Sequence, residues 1–115
     1  GSKLLVTTQA IVIGEAASVD INAGTSADVD AAVAAAVGLR LVGFNARESA
    51  GSAAVATFSI VHGATVSGGA NVATVELAAN GYVTEWFWPG IAMASGISID
   101  RVAGTFDLHL YYVTV

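Results

Sequence analysis

Two histidines and no cysteine are available for acid–base or nucleophilic work, beside nine carboxylates. Asp107 and His109 stand two residues apart, the spacing that puts side chains on one face of a strand. Such a pair could open a metal site or a Ser-His-Asp arrangement. Zinc needs three or four ligands, and the sequence places no third beside them. A solvated strand face is the simpler account. His62 sits beside Gly63 at a strand end. Glu76 and Glu85 flank Asn80-Gly81 and would approach across a hairpin, where paired carboxylates can hydrolyse glycosides. Outward carboxylates on a hairpin ordinarily serve solubility. Asp28 and Asp30 invite a calcium reading, but the EF-hand pattern stops at Ala32 and Val33. Gly63 to Gly69 carries glycines without the Lys-Ser/Thr pair of a phosphate loop. Arg47-Glu48 and Asp100-Arg101 are adjacent opposite charges. Neighbours on a strand point to opposite faces, so each is expected to pair across strands, for about 0–1 kcal/mol. No catalytic, metal or cofactor-binding residue is assigned, and the chain reads as a non-enzyme.

Trp86-Phe87-Trp88-Pro89-Gly90 is the most suggestive run. On a regular strand Trp86 and Trp88 share a face, with Phe87 opposite. Exposed, two coplanar indoles would make a sugar-stacking platform or an interface anchor, since aromatics dominate contact area and hot spots. Buried, they would be core. Core or a subunit interface is the preferred reading. Tyr82 and Tyr111 join the two tryptophans as candidate interface or ligand-stacking residues.

These side chains need elements to hold them, and strand signals recur from end to end. Lys3 to Gly14 is rich in Val, Ile and Thr, which suit a pleated surface. Ala17 to Ala27 reads as a strand end and a turn. Asp28 to Val37 fits two conformations equally. Val29, Val33 and Val37 fall at helical spacing between Ser26 and Gly38, yet an extended buried stretch would also accept them. In Leu39 to Glu48, Leu39 and Leu41 are expected to point one way and Val42, Phe44 and Ala46 the other. Gly43 lies between them, where a bulge or a close backbone approach is natural. Val55 to His62, Asn71 to Leu77 and Tyr82 to Trp88 follow as strands. Asn80-Gly81 is a turn, and Pro89-Gly90 is expected to break the strand before it. After a turn at Ser95-Gly96, the last strand alternates clearly: Phe106, Leu108, Leu110 and Tyr112 against Asp107, His109 and Tyr111. Seven or eight short strands with turns between them predict an all-β, antiparallel β-sandwich with at most one short helix. A jelly roll is among the arrangements this allows. Gly1 and Ser2 read as a cloning remnant, leaving 3–115 as one domain.

Composition excludes several partners. Charged residues make up 11% of the chain and hydrophobic ones 55%, where a soluble domain averages roughly 25% charged. Small neutral side chains give incomplete cover, which points to self-association or docking on a larger assembly. The net charge is −5, with four basic residues: Lys3, Arg40, Arg47 and Arg101. They are scattered, so no basic face forms to neutralise phosphates or anionic lipid, and neither nucleic acid nor membrane is expected as a partner. The longest apolar stretch, Ala31 to Leu39, is about half the roughly 20 residues of a membrane span. No signal peptide is read at the start.

From Gly38 onward the residues resemble a small family of bacteriophage and prophage proteins, notably from actinobacterial genomes. The likeness is carried by Gly38-Leu39-Arg40-Leu41-Val42-Gly43-Phe44 and Arg47-Glu48-Ser49-Ala50-Gly51. It continues in Val75-Glu76-Leu77-Ala78-Ala79-Asn80, Thr84-Glu85-Trp86-Phe87, Pro89-Gly90-Ile91, Gly96-Ile97 and Arg101-Val102-Ala103-Gly104-Thr105. It covers about the last two-thirds of the chain, in motifs that are structural and not catalytic. The resemblance implies a virion component, either head decoration or cement or a tail-surface protein, assembled in the host cytoplasm. A homo-oligomer is implied, a trimer favoured, packed against major capsid or tail proteins. The rival reading is a carbohydrate- or receptor-binding module built on Trp86 and Trp88. One departure is visible: the family is expected to carry a Gly-Pro and an extra residue before Gly-Ile. Trp88-Pro89-Gly90-Ile91 is shorter, which bears on any loop-borne binding role.

Overall fold

The computed structural model describes residues 17–22 as backbone, and residues 28–52 and 54–114 in full. The strand expected at Lys3–Gly14 and the turn around Gly24 lie outside the described residues. Among the described residues eight strands are formed: β1 (Ala17–Asn22), β2 (Val29–Val33), β3 (Leu39–Glu48), β4 (Ala56–His62), β5 (Ala70–Leu77), β6 (Tyr82–Ala92), β7 (Ile97–Ala103) and β8 (Phe106–Thr114). They make two four-stranded sheets, β1-β8-β3-β6 and β2-β7-β4-β5, and every pairing is antiparallel. That strand order is the jelly roll, a double-sheet solution to burying two apolar faces against each other. The predicted β-sandwich is therefore the fold.

The alternation read in the sequence places the core. Phe106, Leu108 and Leu110 of β8 are wholly buried, as are Phe58 and Ile60 of β4 and Ile97 and Ile99 of β7. Phe58 joins the two sheets: its ring stacks on Phe106 at 4.6 Å between centroids, and Phe44 meets it edge-on at 6.1 Å. Such aromatic pairs add about 0.5–1.5 kcal/mol beyond the area they bury.

One open alternative is resolved and three expectations are corrected. No helix forms at Asp28–Val37. Val29 pairs with Ile99 and Val33 with Ile97, so β2 spends two residues more than β7 between the same two rungs. The surplus is taken up at Ala31, whose φ is +49° and whose amide donates to Ser98 Oγ at 3.0 Å. The four-residue spacing of the valines is thus a bulged strand, with both Val29 and Val33 packed on the core.

In β3 the register shifts between Leu41 and Gly43 against both neighbours. A bulge reverses side-chain alternation, so Leu39, Leu41, Phe44 and Ala46 all enter the same core instead of dividing between faces.

Pro89-Gly90 does not end β6, which continues to Ala92. Among the described strands β6 pairs on one side only, and on an edge of that kind proline's missing N–H is tolerated.

Asn80-Gly81 does turn the chain, with Asn80 at φ +59°. It joins β5 to β6 across the two sheets, however, and not within a hairpin.

Candidate binding face

The outer surface of the β8-β3-β6 portion is built in rows by the strand register. Residues opposite one another on neighbouring strands share a face. On β3, Gly43, Asn45 and Arg47 lie opposite Tyr111, His109 and Asp107 of β8, and opposite Trp86, Thr84 and Tyr82 of β6. The first row is aromatic, the second polar, and the third combines an ion pair with a phenol.

The aromatic row depends on Gly43. With no side chain there, the Trp86 indole settles over the β3 backbone; a Cβ at Gly43 would run into that ring and stand 2.7 Å from the Glu85 carbonyl oxygen. Trp86 reaches across to stack on Tyr111, 5.2 Å between centroids and 23° between planes. After both contacts Trp86 is still 62% exposed, Trp88 is 54% and Tyr82 78%. Of the preferred reading, core or a subunit interface, the core half is corrected: neither tryptophan is buried within this chain. Four residues of β6, Phe87 to Gly90, stand against the single residue Val42 of β3, so the strand is irregular after Trp86. Gly90 at φ +114° and its carbonyl, accepting from Arg40 Nη1 at 3.1 Å, hold this irregular segment. Phe87 alone turns inward, 6.0 Å from Phe44.

In the polar row Asn45 Nδ2 donates to Thr84 Oγ1 at 2.7 Å, beside His109 in register. In the third row Arg47 Nε donates to Asp107 Oδ2 at 3.4 Å. The cross-strand partner expected for Arg47 is thus Asp107. The same contact commits Asp107 to Arg47, away from a metal-site role with His109. Among the described residues no group of three or more potential metal ligands forms.

The remaining candidates hold the fold. His62 Nε2 accepts the Ser95 amide at 3.1 Å. Asp28 Oδ1 accepts the Arg101 amide at 3.1 Å and Asp30 Oδ1 the Val66 amide at 2.8 Å, so both carboxylates tie β2 to neighbouring segments. Among the described residues Arg101 forms no cross-strand ion pair; its Nε donates to the Gly104 carbonyl at 2.7 Å. Its neighbour Asp100 is raised above the usual carboxylate value by burial first, then by the hydrogen bond and charge of Asp28. Glu76 and Glu85 both border a cleft of about 420 Å³ between the β5 and β6 edges, floored by Phe44, Val75, Val83 and Phe87.

Sequence reasoning missed Glu48 as a structural carboxylate. It is 6% exposed, and its two oxygens accept the Ala50 amide at 2.6 Å and the Asn80 amide at 2.8 Å. Those bonds hold it below its ordinary pKa, the Asn80 bond most. Gly43 was legible as a special position, but Asn45 and Thr84 carried no signal because register alone brings them together. No family model, curated protein or solved structure matches the chain.

Proposed function

We propose that the chain is a structural protein of a bacteriophage particle, a capsid-decoration or cement subunit or a tail-surface component. It works by self-association and packing, without catalysis. The observation that carries this reading is the exposure of Tyr82, Trp86 and Trp88, each more than half accessible, along one sheet edge. Large aromatic side chains left in water by a folded domain mark contact surfaces. Support also comes from the jelly-roll strand order, which recurs in viral capsid and lectin domains, and from the phage-protein resemblance that begins at Gly38. The charged fraction of 11% fits a surface partly covered by neighbours. A trimer is the proposed assembly, packed on major capsid or tail proteins.

Light scattering across a dilution series tests it. A closed oligomer that persists at low micromolar concentration is expected, and W86A should weaken it. A monomer at every concentration removes the self-association. A second reading, a carbohydrate- or receptor-binding module, is favoured by the stacking of Trp86 on Tyr111 beside a row of hydrogen-bonding side chains.

A further inference from the structure

We infer that the outer face of β8-β3-β6 binds a neutral oligosaccharide, one sugar lying on the Trp86–Tyr111 pair and its neighbours hydrogen-bonded by the Asn45–Thr84–His109 row. This rests on the reading of that face as a contact surface and names its ligand.

A pyranose offers an apolar face of C–H groups and a rim of hydroxyls. It is held by a flat ring beneath the first and by donors and acceptors beside the second. This face carries both, one register step apart. Trp86 and Tyr111 supply ring surface that stays accessible after their mutual stacking. The next row supplies an amide and a hydroxyl, already bonded to each other at 2.7 Å, and the imidazole of His109. Each of these groups can both donate and accept, the mixed capacity that a hydroxyl-rich ligand needs.

Charge selects the neutral class. The face holds one cation and one anion in its third row, and they pair with each other as Arg47 and Asp107. The other arginine of β3, Arg40, gives a guanidinium N–H to the Gly90 carbonyl, and the net charge of −5 opposes polyanions.

Size points the same way. Rows on one face of a strand repeat at about 7 Å and strands lie about 4.8 Å apart, so the patch covers on the order of 300 Å². A protein partner would cover more surface than this patch, roughly 800 Å², so the patch is one part of any subunit contact. The patch spans about two or three sugar rings, at the row spacing set by the strands. Rigid strands and the glycine seat also fix Trp86 before the ligand arrives, which lowers the entropic cost of binding.

The test is a printed array of neutral and acidic glycans, followed by titration of the intact protein with the best neutral trisaccharide. Intrinsic tryptophan emission and calorimetry provide the readouts. Saturable binding of a neutral glycan is expected, weakened about tenfold or more in W86A and in Y111A, as for a central aromatic contact. N45A should weaken it less, and V102S, on β7 away from this face, should bind as the parent does. Circular dichroism and the thermal midpoint establish that each variant is folded. Absence of binding across the array, binding of acidic glycans only, or unchanged binding in W86A and Y111A would overturn the inference. Light scattering separates it from the reading beneath it. If W86A breaks an oligomer while no glycan binds, the contact surface stands and the sugar ligand falls. If neither changes, both fall.

Discussion

Glu48 accepts the backbone amide of Asn80 at 2.8 Å across 32 residues of sequence. One carboxylate at the end of β3 therefore anchors the turn that carries the chain from β5 in one sheet to β6 in the other. Its second oxygen takes the Ala50 amide of the following loop at 2.6 Å, so two connections share one anchor.

Acidification should loosen that anchor. Glu48 is held below its ordinary 4.5 by amide donors from Asn80, Ala50 and Ala54. A carboxylate lowered on folding adds stability above its unfolded pKa and loses it as pH falls through the folded value. Urea unfolding of the parent from pH 7 to pH 3 should show that loss, and E48Q should show less of it from a lower starting stability. An E48Q curve parallel to the parent's would remove Glu48 as the cause.

Asp100 should behave in the opposite sense. Burial, then the bond with Asp28 and its charge, raises its pKa above 3.8. Folding then favours the protonated form, so this site costs stability as pH rises through the raised value. D100N, whose amide donates to Asp28 without needing a proton, should unfold at a higher temperature than the parent near neutral pH. The gain should shrink on acidification. Scanning calorimetry at several pH values checks this, and a gain independent of pH counts against the carboxylate pair.

Gly43 sets how closely β6 approaches. G43A places a Cβ against the Trp86 ring and 2.7 Å from the Glu85 carbonyl oxygen. Overpacking of this kind costs about 1–3 kcal/mol, and the near-ultraviolet dichroism of Trp86 should change with it. Adding W86A to G43A should recover part of the loss, because the ring clash is gone while the carbonyl clash remains. Strict additivity in that double-mutant cycle would show that the ring does not rest on Gly43.

Ser98 is fully buried and works on both sides: Oγ accepts from the Ala31 amide at 3.0 Å and donates to the Gly63 carbonyl at 2.8 Å. S98A leaves both backbone groups short of a partner, for about 1–3 kcal/mol of lost stability. Hydrogen exchange should locate the loosening at β2 and the loop after β4. Loss spread evenly over both sheets would place the effect elsewhere.

Most of the strands and the sandwich itself were written in the sequence by itself. Phe106, Leu108 and Leu110 alternate with Asp107, His109 and Tyr111, and a period of two is a local property that burial on one face imposes on any strand. The aromatic set Tyr82, Trp86, Trp88 and Tyr111 was legible as residue types as well. Tertiary structure decided everything that depends on register or sheet order. Val29 and Val33 show helical spacing because the bulge at Ala31 adds residues that the pattern cannot distinguish from a helical turn. Leu41 and Phe44 share the core because the bulge before Gly43 reverses the alternation. Whether Trp86 faces a partner sheet or water is not a local property: it follows from the register that sets Gly43 and Tyr111 beside it. Those residues lie 43 and 25 positions away from Trp86 in the chain, and only pairing through β3 brings them together.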